Sequence, residues 1–380
     1  MRYRLGDICT IVSGSTPKTD IPEYWDGNVK WITPAELNDN SYIISDSVRK
    51  ITELAVTKTG LSSFPAGTVI LSSRAPIGKV AIAGCDMYCN QGFKNLICSE
   101  VINNRYLYWF LKGNTEYLNS LGRGATFKEI SKKIVSDIEI NVPEIKVQEE
   151  AVHILENISG VIQLRKQELQ ILDGLIKARF VELFGNPITN DKGWNVAELN
   201  SVCDGIGDGL HGTPEYDDSG EYPFINGNNL MNGAIEITPA TKMVNEDTYK
   251  KHYIELTKNA ILLSINGTLG KMAFYNGEEV MLGKSACYCN LKPEINRDFV
   301  YGVMKTDAFA GFLERNATAS TIKNVGLKAI RGFKLILPPK NLQNQFVEFS
   351  KQIDKSKAQV QKSLNETQLL FDSLMQKYYG

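Results

Sequence analysis

Two stretches of the chain decide its fold: residues 64–79 read FPAGTVILSSRAPIGK, and residues 256–271 read LTKNAILLSINGTLGK. An offset of 192 residues aligns them, because it carries Gly78 to Gly270 and Lys79 to Lys271. Each stretch places a short aliphatic and β-branched run before a turn rich in Gly, Pro or Asn, the pattern of a strand that ends in a loop. A second strand-like run follows each turn, so both stretches predict a pair of short strands.

The similarity extends beyond these strands. At an offset of 195, Ala125–Lys128 matches Ser320–Lys323, and Leu183–Gly185 matches Tyr378–Gly380. The matched segments follow one another in the same order, which indicates an internal duplication. We therefore predict that each half contains a globular domain of short strands and helices, followed by one long helix.

The predicted long helices carry a coiled-coil pattern. Between Pro143 and Leu183 there is no proline, and apolar residues recur at steps of three, four and seven, as in the a/d seam of a coiled coil. A helix of about 38 residues is about 57 Å long at 1.5 Å per residue, too long for a compact domain, so it needs a partner. The predicted seam residues are Leu155, Ile162, Leu169, Leu172 and Ile176 in the first helix, and Ile353, Val360, Leu364 and Phe371 in the second.

Two pairings of these helices are open: with each other, or with a second chain in an ordinary dimer. Pairing within the chain predicts an α+β fold in which two long antiparallel coiled-coil helices separate two globular α/β domains, as a pseudo-two-fold internal repeat. We expect the first globular domain at residues 1–142 and the central spacer helix at 143–186. The second globular domain is expected at 187–337 and the C-terminal spacer helix at 338–380.

Composition limits the class of protein. The 380 residues are enough for two cores, and 43% hydrophobic and 22% charged residues are typical of a globular protein. Cys85 and Cys89, like Cys287 and Cys289, lack the second pair or nearby histidine that a zinc site needs, so we expect no metal. No apolar run reaches the length of a membrane span, and the first residues lack a signal peptide's apolar core. We expect a cytoplasmic protein that contacts no membrane.

A net charge of −1 argues mildly against a stand-alone nucleic-acid binder, but basic segments recur at matched places, residues 123–133 and 315–340. Lys, Arg and hydroxyl side chains contact phosphates, while Arg74 and Asn266 have the bidentate geometry that reads guanine and adenine. Turn, cap or solvated-loop roles are the alternative for each residue. The candidate DNA-binding residues are Ser13, Ser15, Thr16, Ser72, Arg74, Lys79, Gln91, Arg123, Thr126 and Lys128 in the first half, and His211, Thr213, Ser264, Asn266, Lys271, Lys284, Ser320, Thr321 and Lys323 in the second.

No catalytic motif is complete. Gly267–Lys271 resembles a phosphate-binding loop but has Ile265 and Met272 where the first glycine and the hydroxyl residue belong. Asp137 with Glu144–Lys146 imitates the acidic and Lys spacing of nucleases, and the second half does not repeat it. We therefore expect no catalytic residue, while a nuclease centred on Glu144 stays an alternative.

A series of motifs runs through the first half: LGDI at 5–8, SGSTP at 13–17, WITP at 31–34, RAPIG at 74–78, NQGF at 90–93, GATF at 124–127 and RFVELFGNP at 179–187. In this order, with the duplication, the chain resembles the specificity subunits of Type I restriction–modification systems. The second half departs from the motifs, with Asn-Gly at 266–267 and Gly-Lys-Ser at 283–285.

The resemblance implies a DNA-recognition subunit without catalysis of its own. Each globular domain would be a target-recognition domain for one half of a bipartite site in double-stranded DNA, and the diverged second half would read a different sequence. The helices would set the spacing and dock two methyltransferase subunits, which bind S-adenosylmethionine; this chain would hold no cofactor. A translocating restriction subunit is a further possible partner. The alternative is a dimeric coiled-coil scaffold or adaptor without DNA specificity.

Overall fold

The computed structural model describes residues 1–124 and 128–380 and divides into two compact units. Unit 1 consists of residues 1–167 and 360–380, and unit 2 of residues 168–359. The division falls within the two long helices, each of which contributes to both units. The prediction of domains bounded at 142, 186 and 337 stays a prediction.

Unit 1 combines short strands with short helices. Its strands are β1 (Arg2–Arg4), β2 (Cys9–Ser13), β3 (Trp25–Ile32), β4 (Ile43–Ile44), β5 (Lys50–Ile51), β6 (Val69–Ser72), β7 (Val80–Ala83), β8 (Tyr88–Cys89), β9 (Phe93–Cys98) and β10 (Glu139–Asn141). Its helices are α1 (Leu5–Ile8), α2 (Glu53–Thr59), α3 (Asn104–Gly113), α4 (Thr115–Ser120), α5 (Lys132–Ser136), the beginning of the long helix α6 (Ile145–Phe184) and the end of the long helix α11 (Lys340–Tyr379).

The main sheet of unit 1 has the order β2-β9-β6-β7-β4, and a smaller sheet has the order β5-β3-β8. β6 is buried on both faces: Val69 and Leu71 belong to the core that includes α3, while Ile70 belongs to the core on the other face. This two-sided burial explains why its sequence is a continuous apolar run rather than an alternation. Helix α3 begins after Asn103, whose side chain accepts hydrogen bonds from the backbone N–H groups of Arg105 (2.8 Å) and Tyr106 (3.3 Å).

Unit 2 repeats this topology. Its strands are β11 (Asn195–Glu198), β12 (Cys203–Asp208), β13 (Tyr222–Ile225), β14 (Leu230–Met231), β15 (Ala234–Ile235), β16 (Met243–Val244), β17 (Ala260–Ser264), β18 (Met272–Phe274), β19 (Met281–Leu282), β20 (Ala286–Leu291) and β21 (Lys334–Leu337). Its helices are the end of α6, α7 (Glu246–Lys251), α8 (Arg297–Met304), α9 (Asp307–Asn316), α10 (Leu327–Arg331) and the beginning of α11.

The strand orders of the two units correspond. The sheet β12-β20-β17-β18 matches β2-β9-β6-β7, and β16-β13-β19 matches β5-β3-β8, including one parallel pair in each smaller sheet. The burial also recurs, since Ile261 and Leu263 face one core of unit 2 and Leu262 the other. An aromatic pair recurs as well: Tyr106–Tyr379 has ring centroids 4.8 Å apart, and Phe184–Phe299 has them 5.2 Å apart. The predicted internal repeat and α+β class are confirmed.

Both long helices begin in the same way. Gln148 Nε2 donates to Pro143 O (2.8 Å), and Gln343 Nε2 donates to Pro338 O (2.8 Å), and both glutamines are buried. Each therefore satisfies a carbonyl at the entry to its helix.

The two helices pack in opposite chain directions within each unit. In unit 1, Tyr106 Oη lies 3.3 Å from the carbonyl oxygens of both Asn141 and Tyr378, whereas further along α6 the Arg165 side chain donates to Ser363 O. In unit 2, Asp173 Oδ1 lies 2.5 Å from Lys357 Nζ, and the Phe180 and Phe346 rings are 5.4 Å apart. Every predicted seam residue is buried or half-buried: Leu155, Ile162, Leu169, Leu172, Ile176, Ile353, Val360, Leu364 and Phe371. Pairing inside the chain therefore covers the seam.

Candidate nucleic-acid interface

Four separate segments of unit 1 meet on one surface. Ser73 N, after β6, donates to Gly92 O (2.7 Å) before β9, and Ile130 N, before α5, donates to Ser73 O (3.0 Å). The segment after β2 joins them, because Thr16 Oγ1 donates to Gln91 Oε1 (2.5 Å). We call this surface the loop face of unit 1 and define it as residues 13–17, 73–79, 90–92, 123–124 and 128–129.

The corresponding four segments meet in unit 2. Ile265 N donates to Ser285 O (3.1 Å), Val325 N donates to Ile265 O (2.9 Å), and Lys284 N donates to Leu210 O (3.0 Å). The first two bonds join positions 192 to 195 residues beyond their partners in unit 1, so the duplication has kept the backbone bonds that assemble the surface. The loop face of unit 2 is defined as residues 208–214, 264–271, 283–285 and 318–325.

The turns after β6 and β17 have positive φ angles at matched positions. Ala75 and Gly267 have positive φ angles of 34° and 75°, and Gly78 and Gly270 have φ angles of 91° and 82°. Glycine takes this left-handed conformation without strain, whereas alanine does so at a cost. The turn leaves the preceding side chains, Arg74 and Asn266, half-exposed on their loop faces.

Most of the predicted DNA-binding residues lie exposed on the two loop faces. In unit 1 the exposed residues are Ser13, Ser15, Thr16, Gln91, Arg123 and Lys128, and in unit 2 they are His211, Thr213, Lys284, Ser320, Thr321 and Lys323. Thr126 lies outside the described residues. The structure therefore brings residues from distant parts of each half onto one surface.

Ser72 and Ser264 do not fit the predicted role, because both are buried. Ser72 Oγ donates to Pro76 O (2.7 Å), and Ser264 Oγ donates to Thr268 O (2.5 Å), so each hydroxyl holds the turn that follows it. Lys79 is half-buried, and its Nζ donates to the carbonyl oxygens of Pro34 (3.3 Å) and Leu37 (2.5 Å). We therefore correct the expected set by removing Ser72, Ser264 and Lys79. Lys271, at the position matching Lys79, is also half-buried.

Unit 1 contains a charged cluster at its loop face that sequence reasoning missed. Lys94 Nζ lies 3.3 Å from Glu129 Oε1, and Arg74 Nη1 lies 3.6 Å from Glu129 Oε2. The Lys94 side chain is only 8% exposed and also donates to Ser73 Oγ (3.2 Å). The one available signal in the sequence was a lysine inside the apolar strand FKNLIC at residues 93–98. Glu129 gave no such signal, since it lies 35 residues from its partner Lys94.

Unit 2 has the same backbone arrangement without the charges. Arg74 and Glu129 form an isolated β-bridge, and the matched bridge of unit 2 joins Asn266 to Asn324. The offset of 193 that matches Gly92 to Ser285 places the buried Cys287 at the position of Lys94. The two loop faces therefore share a framework and differ in chemistry.

The thiols of Cys89 and Cys203 are buried and have raised pKa values. Burial raises the pKa of the Cys89 thiol, which lies beneath the loop face of unit 1, to about 12. In unit 2, the neighbouring Cys289 thiol and burial raise the pKa of Cys203 far above its ordinary value. Thiols in this state are poor nucleophiles and poor metal ligands. Within residues 1–124 and 128–380, no group of three or more His, Cys, Asp and Glu could hold a metal ion, and no helix is both long and apolar enough to cross a membrane.

Comparisons with known proteins agree with the duplication. The family model for the Type I restriction modification DNA specificity domain matches twice, at residues 1–173 and 191–367. The specificity subunit of the Type I restriction enzyme MjaIX from Methanocaldococcus jannaschii is 32% identical over 298 residues, which cover 72% of this chain and 67% of that protein.

Two solved structures have a similar fold over the full chain. The S subunit of a Type I restriction-modification system from M. genitalium aligns with a TM-score of 0.58 at 15% identity, covering 100% of this chain and 96% of that one. A chain from a structural study of complex assembly and conformational transition in the type I R-M system aligns with a TM-score of 0.59 at 18% identity, covering 100% and 97%. At these identities the likeness concerns the fold.

Proposed function

The chain belongs to the family of Type I restriction–modification specificity subunits, and from this premise we propose that each loop face binds one half of a bipartite site in double-stranded DNA. The recurrence of the four-segment surface carries this proposal. Two of the backbone bonds that assemble the surface recur at matched positions in both units, while the side chains that it displays differ. Two surfaces of one shape and different chemistry are suited to two half-sites of different sequence.

The side chains of each loop face fit the two kinds of DNA contact. The exposed cations, such as Arg123 and Lys323, provide charge for the phosphates, which position a protein on DNA without reading its sequence. Arg74 and Asn266, half-exposed just before the turn, are the residue types that make bidentate contacts with base edges in the major groove. Because these two matched residues differ, the two units would prefer different bases.

The long helices would set the spacing between the half-sites and dock two methyltransferase subunits. Large apolar side chains remain exposed on α6, namely Ile154, Val161 and Leu164 in unit 1 and Ile171 and Leu175 in unit 2. An exposed apolar stripe on a helix whose seam is already filled is suited to a further protein partner. The methyl donor S-adenosylmethionine and the catalytic groups would belong to those partners, with this chain non-catalytic, and a translocating restriction subunit would join the same complex.

The proposal is tested by producing the chain with the methyltransferase subunits of its own system and mapping methylated bases by single-molecule sequencing. We expect one bipartite motif with a fixed spacer. Arg74→Ala should change the base preference of one half-site, and Asn266→Ala should change that of the other. Methylation without sequence preference would contradict the proposal, as would a change in both half-sites by either variant.

A further inference from the structure

The three members of the Arg74–Glu129–Lys94 cluster differ in burial, and this difference suggests a separate role for each. Lys94 is the buried member, with 8% of its side chain exposed, whereas Arg74 and Glu129 are 36% and 38% exposed. A buried ammonium group needs a carboxylate and further hydrogen bonds to offset its lost hydration. Glu129 Oε1 and Ser73 Oγ provide these partners at 3.3 and 3.2 Å. The buried Lys94 ammonium group therefore holds the Glu129 carboxylate on the side that faces the interior of unit 1.

The second oxygen of this carboxylate lies beside one edge of the Arg74 guanidinium, at 3.6 Å from Nη1. A guanidinium has five N–H donors, so an ion pair at one nitrogen restrains its orientation, and none of its donors makes a hydrogen bond to the described residues. The cluster has two cations and one anion. It therefore keeps a positive charge for a DNA ligand even though Arg74 has an acidic neighbour.

Arg74 lines a concavity of about 380 Å³ in unit 1, together with Thr33, Pro34, Ala35, Ala75, Asn90 and Gly92. Asn90 is also held in place, because its Oδ1 accepts a hydrogen bond from Gly92 N (2.9 Å), which leaves its NH2 group to donate. Two fixed donor groups thus line one concavity. The Arg74 guanidinium can donate to two adjacent acceptors at once, and among the bases the major-groove edge of guanine, with O6 and N7, has this pattern.

We infer that Glu129 is a positioning residue for sequence recognition: anchored by the buried Lys94, it holds the Arg74 guanidinium so that unit 1 reads a guanine in its half-site. The inference rests on the proposed function and adds to it a base and the residues that select it. Unit 2 has Asn266, Asn324 and Cys287 at the matched positions, so this recognition of guanine is confined to one half-site.

The test uses the chain assembled with its methyltransferase subunits and a DNA library randomised over the unit 1 half-site, with methylated sequences counted. We expect the wild-type complex to prefer guanine at one position. Glu129→Gln should reduce that preference about tenfold, the size expected when one good bidentate contact is lost, and should leave the other positions unchanged. Arg74→Lys keeps the positive charge but loses the guanidinium group that makes the bidentate contact, so it should also reduce the guanine preference. Asn324→Ala, at the matched position of unit 2, should leave this guanine preference intact.

A second variant separates positioning from folding. Glu129→Gln alone leaves the Lys94 ammonium buried without its carboxylate and should lower the thermal stability of the chain. The double variant Lys94→Met/Glu129→Gln removes the buried charge. The double variant should recover much of that stability. It should not recover the guanine preference, because no carboxylate at position 129 then restrains the Arg74 guanidinium.

The possible failures are distinguishable. If the double variant recovers the guanine preference together with stability, or if Glu129→Gln weakens methylation of all sequences equally, Glu129 acts through the fold and the inference is wrong. A wild-type unit 1 half-site without guanine would also overturn it. In each of these cases a bipartite motif can still be present and the proposed function stands. If the wild-type complex shows no motif at all, the proposed function itself fails.

Discussion

Removing the exposed cations Arg123 and Lys128 from the loop face of unit 1 should change the salt dependence of DNA binding. Each phosphate contact releases counterions, and its loss lowers the slope of log affinity against log salt by about 0.9. If both cations contact phosphates, the variant Arg123→Ala/Lys128→Ala loses about 1.8 from this slope. Between about 50 and 200 mM salt, the affinity of the variant should then fall about 12-fold less than that of the wild-type complex. Removing two exposed cations from the loop face of unit 2, in the variant Lys284→Ala/Lys323→Ala, should have an effect of similar size.

The measurement is fluorescence anisotropy of a labelled duplex with the assembled complex, at several salt concentrations. The control variant Lys58→Ala/Lys250→Ala removes two exposed cations that lie outside both loop faces, and it should keep the wild-type slope. Because the four loop-face residues are exposed, their removal should not lower the midpoint of thermal unfolding. An unchanged slope for both loop-face variants, or an equal decrease in the control, would refute the assignment of these surfaces to DNA.

Three further predictions concern the framework. Phe346 is 2% exposed and packs against the Phe180 ring. Phe346→Ala should therefore lower the free energy of unfolding, measured by chemical denaturation, by about 3–5 kcal/mol. A loss under about 1 kcal/mol would mean that this core collapses around the smaller side chain. Leu172→Glu puts a charge into the half-buried seam and should destabilise the chain. Leu164→Glu changes a side chain that is 66% exposed, so it should preserve stability and weaken methyltransferase binding in a pull-down. Loss of binding in Leu172→Glu alone would contradict the proposed docking surface. Inserting one heptad into both long helices adds about 10.5 Å to each helix, so the spacer of the methylated motif should lengthen by about three base pairs. Both half-site sequences should stay unchanged. An unchanged spacer in the sequenced methylome would show that the helices do not set the spacer length.

The architecture could be predicted from the sequence because the duplication places the matched strands and helices in the chain twice, in the same order. The strand at Val69–Ser72 is a short apolar run, and on its own such a run does not distinguish a strand from a helix segment. Its match with Ala260–Ser264, at a constant offset and before an equivalent turn, supports the strand in both places. The seam residues were predictable for a similar reason, since a heptad pattern repeated in two helices specifies the buried face of each.

The loop-face side chains were only partly predictable, because the sequence does not show which polar groups find partners inside the fold. Ser72 and Ser264 look like exposed turn residues, yet each hydroxyl donates to a carbonyl four residues ahead. Lys79 looks like a DNA-binding lysine, yet its ammonium reaches carbonyl oxygens more than forty residues away. The pairing of Lys94 with Glu129 likewise depends on the tertiary structure, which brings β9 and the segment before α5 together.

The loop faces can diverge because main-chain hydrogen bonds form a shared part of their framework. The bond from Ser73 N to Gly92 O recurs from Ile265 N to Ser285 O, although the side chains at these positions have nothing in common. A surface assembled by main-chain hydrogen bonds keeps its shape when its side chains change, so substitutions there alter recognition at little cost in stability. Substitutions in the seam or in the aromatic core of each unit do not have this freedom, since they change packing directly. The same division explains why unit 1 has the charged Arg74–Glu129 pair where unit 2 has two asparagines on an equivalent backbone. The two half-site specificities can therefore change independently of each other and of the framework that carries them.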